Sequence, residues 1–353
     1  MTYRDLVLLI AAALPVAASI QGDSSRGAVL FEQQKCVTCH AINGKGGRNA
    51  PDLGKRSGRD FTPASLAATL WNHAPAMWSA MDASRIAPPK LDSQQSADLF
   101  AYFYAARFFD APGDAGRGRK VFVEKRCAEC HNISTSNPGS GTPVLKWEAL
   151  VEPIELSRQM WNHSPQMRAA AARKGVKIEQ ISAKEMTDMI VYLQSLPQTK
   201  GLTARFSPAS TETGETLLNV KGCVSCHQGS NALPKAGVFK PSAEFAADMW
   251  NHSASMRQSA EIRPEEMTRI VGYLFSKQFE KGPGAASRGE RVLSAKGCTG
   301  CHKSAPKAST PYEIMSGLWT HGPAMRKEMT SKNVSWPRFS ESEMADLMAA
   351  LQR

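Results

Sequence analysis

The sequence lacks spare cysteines and spare histidines. All eight cysteines lie in four C-x-x-C-H motifs, so no pair remains for a disulfide. Four of the eight histidines end these motifs and each of the other four follows one motif, so none remains for a separate metal site. No apolar run is long enough to cross a bilayer, which excludes a multi-span membrane protein. The composition, 42% hydrophobic and 21% charged, excludes a disordered chain.

The N-terminus has the pattern of a secretory signal peptide. A mainly apolar run from Leu6 to Ala18 is too short to span a bilayer but fits the apolar region of a signal peptide. Small residues at positions 17–19 offer a cleavage site. We therefore predict a signal peptide over residues 1–19 and a periplasmic or extracellular mature protein. An uncleaved anchor is the alternative.

The four motifs divide the rest of the chain into four repeats. Their first cysteines lie at positions 36, 127, 223 and 298, and each follows a short helical segment with a glycine nine residues before it. Amphipathic closing helices are predicted over 97–108, 183–196, 265–275 and 341–351. No segment has a strand pattern. The chain is thus predicted to be all-α, with domains at 22–112 (repeat 1), 113–201 (repeat 2), 207–282 (repeat 3) and 283–353 (repeat 4).

A middle helix is predicted to begin at a proline in every repeat, because proline suits the first helical turn. These prolines, each about two turns before a tryptophan, are Pro63, Pro153, Pro241 and Pro311. Thr62 and Thr310 are predicted N-caps of two middle helices. Capping boxes are predicted for two closing helices, at Ser182 with Glu185 and at Ser340 with Glu343.

The end of the middle helix is expected just after the tryptophan in repeats 1, 2 and 4. Pro75, Pro165 and Pro323 follow the tryptophan within four residues, and proline disfavours helical geometry in the residue before it. Repeat 3 has Ala254 at this position, so its middle helix is expected to run on.

The C-x-x-C-H motif is typical of covalent haem attachment when it recurs on a secreted chain. Its two thiols can form thioether bonds to the two vinyl groups of one haem, and the adjacent histidine then binds the iron. A thioredoxin-type redox pair needs no fixed histidine, and a zinc site needs more ligands than one repeat offers. We therefore predict four haem c groups. They would be attached through Cys36, Cys39, Cys127, Cys130, Cys223, Cys226, Cys298 and Cys301, with His40, His131, His227 and His302 as iron ligands.

With these features, each repeat resembles a class I cytochrome c domain. The resemblance covers the N-terminal helix, the motif, a Pro-x-Leu loop, the middle helix, a methionine loop and the C-terminal helix. It implies that the first and last helices cross where a glycine meets an aromatic residue, which pairs Gly27, Gly118 and Gly214 with Tyr102, Tyr192 and Tyr273. Repeat 4 has Ala350 in place of the tyrosine, so a looser crossing is expected there.

The resemblance also implies the remaining iron contacts. The carbonyl groups of Pro51 and Pro143 are expected to orient the motif histidines of repeats 1 and 2. The sixth iron ligand is expected to be a methionine five residues after the residue that closes the middle helix, which gives Met77, Met167, Met256 and Met325. The alternative is a histidine four residues before each methionine, which gives His73, His163, His252 and His321. Methionine would raise the reduction potential relative to two histidines.

The pattern predicts an electron carrier and not an enzyme. Each repeat has the same candidate ligands, and none has an unmatched acid–base cluster that would mark a catalytic haem. The formal charge of +11 is scattered along the chain and is largely offset by haem propionates, so it indicates no nucleic acid but suits docking to acidic redox partner proteins. Association with a respiratory complex and self-association stay open. The alternative function is a haem-containing oxidoreductase subunit that acts on a small sulfur or nitrogen compound or on peroxide.

Overall fold

The computed structural model describes residues 20–54, 62–106, 113–136, 139–147, 150, 153–199, 208–233, 242–253, 255–256, 260–277, 284–304, 307–308 and 310–352. The predicted signal peptide, Pro241 and Ala254 lie outside these residues. The described part is mostly helical, as predicted, and none of its helices is both long and apolar enough to cross a membrane.

Three helices occur in every repeat. The first helices are α1 (Ser24–Gln33), α4 (Ala115–Glu124), α7 (Gly214–Val220) and α10 (Ala286–Ala295). The middle helices are α2 (Pro63–Ala83), α5 (Pro153–Arg173), α8 (Ser242–His252) and α11 (Pro311–Ser331). The closing helices are α3 (Ser93–Ala105), α6 (Ala183–Ser195), α9 (Pro264–Lys277) and α12 (Glu341–Leu351).

Small departures from the predicted elements have local causes. A two-residue hairpin, β1 (Ala41–Ile42) with β2 (Lys45–Gly46), follows the first motif although no strand was expected. Its turn, Asn43–Gly44, has positive φ at both residues, as tight hairpins require. Helix α3 begins four residues earlier than predicted because Asp92 and Gln95 form a capping box there. The four predicted caps are confirmed at Thr62, Thr310, Ser182 and Ser340.

The first and closing helices of each repeat cross with their backbones in contact. A Cβ atom added to Gly27, Gly118 or Gly289 would lie 1.9–2.0 Å from a backbone oxygen of the closing helix, and at Gly214 the distance would be 2.4 Å. The predicted crossings of repeats 1 to 3 are confirmed. The looser crossing expected in repeat 4 is wrong, because the partner contributes only its Cβ atom to the contact and Ala350 supplies that atom as well as a tyrosine does.

A buried aspartate fixes this crossing in repeats 1, 2 and 4. In repeat 2, Asp188 accepts hydrogen bonds from the Asp114 backbone N–H at 2.6 Å and from the Arg117 Nε at 2.8 Å. Its carboxylate is 3% exposed, and the bond from Arg117 lowers the pKa of Asp188 to about 2. Asp98 and Asp346 make the same contacts in repeats 1 and 4.

The middle helices end where they were not expected to end. Helices α2, α5 and α11 continue for two turns beyond the proline, whereas α8 stops at His252, so both expectations are wrong. Proline frees the carbonyl group one turn before it. In repeat 1 the freed Trp71 carbonyl accepts a hydrogen bond from the Trp336 Nε1 at 3.1 Å. In repeat 3 the Ser255 hydroxyl donates to the His252 carbonyl at 2.9 Å and ends the helix.

Each middle helix packs against the closing helix of a different repeat. Helix α2 of repeat 1 lies on α12 of repeat 4, and α11 of repeat 4 lies on α3 of repeat 1. In the same way, α5 of repeat 2 lies on α9 of repeat 3, and α8 of repeat 3 lies on α6 of repeat 2. We call this reciprocal packing the exchange of middle helices. The exchanged helices also contact each other, α2 with α11 and α5 with α8. The domain boundaries stay a prediction, but the described repeats are joined in two interlocked pairs.

The apolar cores show the same exchange. Trp161 of repeat 2 is buried in the core of repeat 3 beside Met267 and Ile270. Trp250 of repeat 3 is buried in the core of repeat 2, and Trp319 of repeat 4 in that of repeat 1. A buried aromatic side chain stabilises a core by several kcal/mol, about 3–5 on truncation to alanine, so these tryptophans hold the pairs together.

The glycine crossing predicts the effect of one added methyl group. Gly118→Ala should lower the free energy of unfolding by about 1–3 kcal/mol, because its Cβ would overlap the Asp188 carbonyl oxygen. The measurement is denaturant unfolding. Gly116→Ala in the same helix is the control, since its nearest neighbour is a side-chain oxygen at 3.3 Å and alanine favours helix. Equal loss in both variants would contradict the prediction.

The lowered pKa of Asp188 predicts an acid-dependent contribution to stability. The carboxylate stabilises the fold above its unfolded pKa of about 4, and this contribution is lost as the pH falls toward its folded value of about 2. Asp188→Asn should therefore be less stable than the wild type at neutral pH, with a smaller difference at pH about 2. Urea unfolding over this pH range measures it, with exposed Asp82→Asn as the control. A difference that is independent of pH would contradict the assignment.

Candidate haem sites

Each C-x-x-C-H motif folds as one tight turn. A residue with positive φ precedes the first cysteine, with φ of 59° at Lys35 and 76° at Gly297 for example, and a single 3-10 turn follows. The backbone N–H of the motif histidine then donates to the carbonyl of the first cysteine, at 2.9 Å for His40 and Cys36. The turn therefore presents both thiols and the imidazole from one compact segment.

The thiols of these turns are poor candidates for a dithiol redox pair. Burial raises the pKa of Cys36 and of Cys127 to about 11, and it also raises the pKa of Cys223 and Cys298. Redox-active cysteines work as thiolates and need a lowered pKa. The first cysteine of each motif thus lacks the lowered pKa that thiol–disulfide exchange requires.

The motif histidines are oriented by backbone carbonyl groups. The His40 Nδ1 donates to the Pro51 carbonyl at 2.9 Å, as expected. In repeat 2 the acceptor is the Thr142 carbonyl and not that of Pro143, so this expectation is wrong by one residue. The indole of Trp147 donates to the same Thr142 carbonyl at 3.0 Å, which fixes that oxygen one residue before the proline.

Repeat 3 orients its motif histidine within a shorter loop. The His227 Nδ1 donates to the Asn231 carbonyl at 3.2 Å. A histidine whose Nδ1 is held in this way keeps its Nε2 for a metal ion, and such a partner fixes the orientation of the ring. The motif histidines of repeats 1 to 3 therefore have the arrangement of metal ligands.

The second histidine lies close to the motif histidine in repeats 1, 3 and 4, and the two line the same cavity in repeat 2. The ring centroids are 6.3 Å apart for His40 and His73, 5.7 Å for His227 and His252, and 6.1 Å for His302 and His321. In repeat 2, His131 is close enough to lower the pKa of His163, in addition to the larger effect of burial. An imidazole nitrogen binds a metal ion at about 2 Å, so two imidazoles on opposite sides of one iron have centroids about 6 Å apart.

The methionines occupy a different environment. Met77, Met167 and Met256 are partly buried and pack against the apolar cores. Met325 is also partly buried. Met77, Met167 and Met325 lie within helices, one turn beyond the histidine, and not in a loop. Methionine ligation stays a prediction, because Met167 lines the same cavity as His131 and His163.

A cavity in repeat 2 tests whether a haem fits between these residues. Its volume is about 570 Å³, within the range of cofactor sites. Cys127, Cys130 and His131 line it together with His163 and Met167. Two thiols and three candidate iron ligands thus face one largely apolar space, which fits the donor set of a covalently attached haem.

The segment Trp-x-His lets one helix contribute a core residue to one repeat and a candidate ligand to another. Residues two apart on a helix point in nearly opposite directions, because a turn takes 3.6 residues. Trp161 is therefore buried in the core of repeat 3 while His163 faces the cavity of repeat 2. The sequence contains this segment four times, but nothing in it shows that the tryptophan enters the core of another repeat.

Comparison with known proteins identifies one part of the chain. A family model described as Cytochrome c matches residues 24–104, which span α1, the first motif, α2 and most of α3. No curated protein and no solved structure matches the chain. The match implies a covalently bound haem c with iron, and it supports a haem-based electron-transfer role. Residues 24–104 thus have the sequence of a cytochrome c domain.

Proposed function

We propose that this protein is a periplasmic or extracellular electron carrier with four haem c groups, one in each repeat. The observation that carries the proposal is the fourfold recurrence of the structure seen in the part that matches cytochrome c. The same tight C-x-x-C-H turn follows the same glycine crossing in every repeat. This recurrence, together with the match of repeat 1, supports four domains and four haems.

The residues of the chain attach, orient and enclose the cofactor. When bound, haem c supplies reversible one-electron oxidation and reduction of its iron. Cys127 and Cys130 would hold it covalently in repeat 2, and the Thr142 carbonyl keeps the ring of His131 in place. The apolar walls of the cavity exclude water, which lowers the reorganisation that a change of charge requires. The excess of basic residues suits docking to an acidic redox partner.

The sixth iron ligand in this proposal is histidine, the alternative that the ring separations favour. Two histidines give a lower potential than histidine with methionine, so the carrier would work at low potential. His73, His252 and His321 lie at about the separation from their motif histidines that one iron requires, and Met77 and Met256 pack against apolar cores.

The contacts between repeats favour the transfer order 4–1–3–2. The interlocked pairs join repeat 4 to repeat 1 and repeat 3 to repeat 2. Repeats 1 and 3 touch directly: the Ser24 N–H donates to the Ala209 carbonyl at 3.1 Å, and the rings of Tyr104 and Phe275 are 5.4 Å apart. The order in space therefore differs from the order along the chain.

The proposed function predicts the haem content. The wild-type protein should carry one haem for each of its four motifs, and the double variant Cys127→Ala/Cys130→Ala should lose one of them, because no other thiols line the cavity of repeat 2. The measurement is the alkaline pyridine haemochrome spectrum per chain, combined with the mass of the denatured protein. A wild-type protein with fewer haems than motifs would contradict the proposal.

The sixth ligand is tested by two substitutions on one helix. His73→Ala should convert one haem from low-spin to high-spin iron, and Met77→Ala should leave the spin state unchanged, because the proposal takes His73, whose ring centroid lies 6.3 Å from that of His40, as the sixth ligand. Electron paramagnetic resonance of the oxidised protein measures the spin state. The weak red-edge absorption band of methionine-bound ferric haem should also be missing from the wild type. Loss of such a band in Met77→Ala would instead assign the methionine.

A further inference from the structure

The asparagine before the second histidine is paired with the backbone of another repeat. The Asn72 Nδ2 donates to the Phe339 carbonyl at 2.8 Å, and the Phe339 N–H donates to the Asn72 Oδ1 at 2.9 Å. Asn162 makes the same two bonds with Ile262, at 2.7 and 2.9 Å. Asn251 makes them with Ile181, both at 2.8 Å. The side-chain amide thus bonds both the N–H and the carbonyl group of one backbone residue, as a neighbouring backbone would.

The receiving residue lies at the same place in each case. Phe339, Ile262 and Ile181 each lie two residues before the first residue of a closing helix. That helix is fixed by the glycine crossing of its own repeat, so the pair connects the middle helix of one repeat to the most rigid part of another. Because the asparagine directly precedes the histidine, two hydrogen bonds hold the backbone next to the imidazole.

Repeat 4 departs from this arrangement. Thr320 stands in place of the asparagine, and its hydroxyl donates to the Ser316 carbonyl of the same helix at 2.9 Å. Two residues before the closing helix of repeat 1, the Leu91 carbonyl accepts a hydrogen bond from the Ser316 hydroxyl at 2.7 Å, and the Arg326 guanidinium separately donates to the Pro75 carbonyl and the Ser79 hydroxyl. The donor of that bond, Ser316, lies five residues before His321. The histidine of repeat 4 therefore lacks the two-way pair beside it that repeats 1 to 3 have.

We propose that Asn72, Asn162 and Asn251 are positioning residues. Each bonds to the backbone of another repeat and so holds the neighbouring histidine on the haem iron of its own repeat. Repeat 4, which lacks this residue, then carries the haem whose sixth position a small neutral ligand takes most readily. The inference rests on the proposed function, since it requires haem and histidine ligation. Removal of a partner that hydrogen-bonds a metal ligand directly changes metal affinity by about 10–100-fold, and we expect an effect of that order from residues that hold the backbone beside the ligand.

The test swaps the residue types found at this position in repeats 1 and 4. Asn72→Thr gives repeat 1 the residue of repeat 4, and Thr320→Asn does the reverse. The probe is carbon monoxide, titrated into the reduced full-length protein and followed by the haem absorption bands. The wild type should bind it at one haem. Asn72→Thr should add a second site by raising the affinity at repeat 1 about 10–100-fold, and Thr320→Asn should weaken the wild-type site by a similar factor.

The control is Asn219→Thr, which removes an asparagine whose amide bonds only within its own helix, to the Glu215 carbonyl. It should bind carbon monoxide as the wild type does. If Asn72→Thr does not fold, Asn162→Thr and Thr320→Asn apply the same test to the other repeats. A wild type that binds no carbon monoxide, or exchanged variants that bind it equally, would overturn the inference while the haem content stays complete. Loss of haem from the wild type would instead overturn the proposed function.

Discussion

The backbone contact between the first and closing helices is the constraint on which the rest of the structure depends. At Gly118 there is no room for a side chain, and the buried Asp188 ties the start of the first helix to the closing helix. The crossing fixes the segment that leads into the C-x-x-C-H turn. It also fixes the start of the closing helix, which receives the middle helix of another repeat. The positions of both sides of the candidate haem site therefore depend on the same helix–helix contact.

Each repeat supplies both of its candidate histidines, but it does not hold them alone. The helix that carries the second histidine is held by the core and backbone of another repeat. In Trp-x-His, the tryptophan on one side of the helix packs in the other repeat, and the histidine on the opposite side faces the site of its own repeat. A change in one repeat of a pair can thus reach the candidate haem site of the other through packed side chains and hydrogen bonds.

Much of this could be predicted from the sequence, and the failures share a cause. Caps such as Ser182, the glycine crossings and the motif turns follow from residues close in the sequence or from one repeated pattern. The continuation of α2 through Pro75 depends on Trp336, which lies 265 residues from the carbonyl it bonds. The exchange was not predictable either, because Trp161 gives the same pattern whether it is buried in its own repeat or in another.

The exchange also orders the assembly of the chain. Repeats 2 and 3 close over 100 residues between Asn162 and Ile262, whereas repeats 1 and 4 close over 267 residues between Asn72 and Phe339, so the pairs are nested. The longer closure costs only about 1 kcal/mol more in chain entropy. The two closures differ more in when they can form during synthesis, because the helices that complete the first repeat are the last to be made. Until then the first repeat exposes the apolar surface that Leu318 and Trp319 later cover, so a chaperone or an early partner has its longest opportunity at the N-terminal repeat.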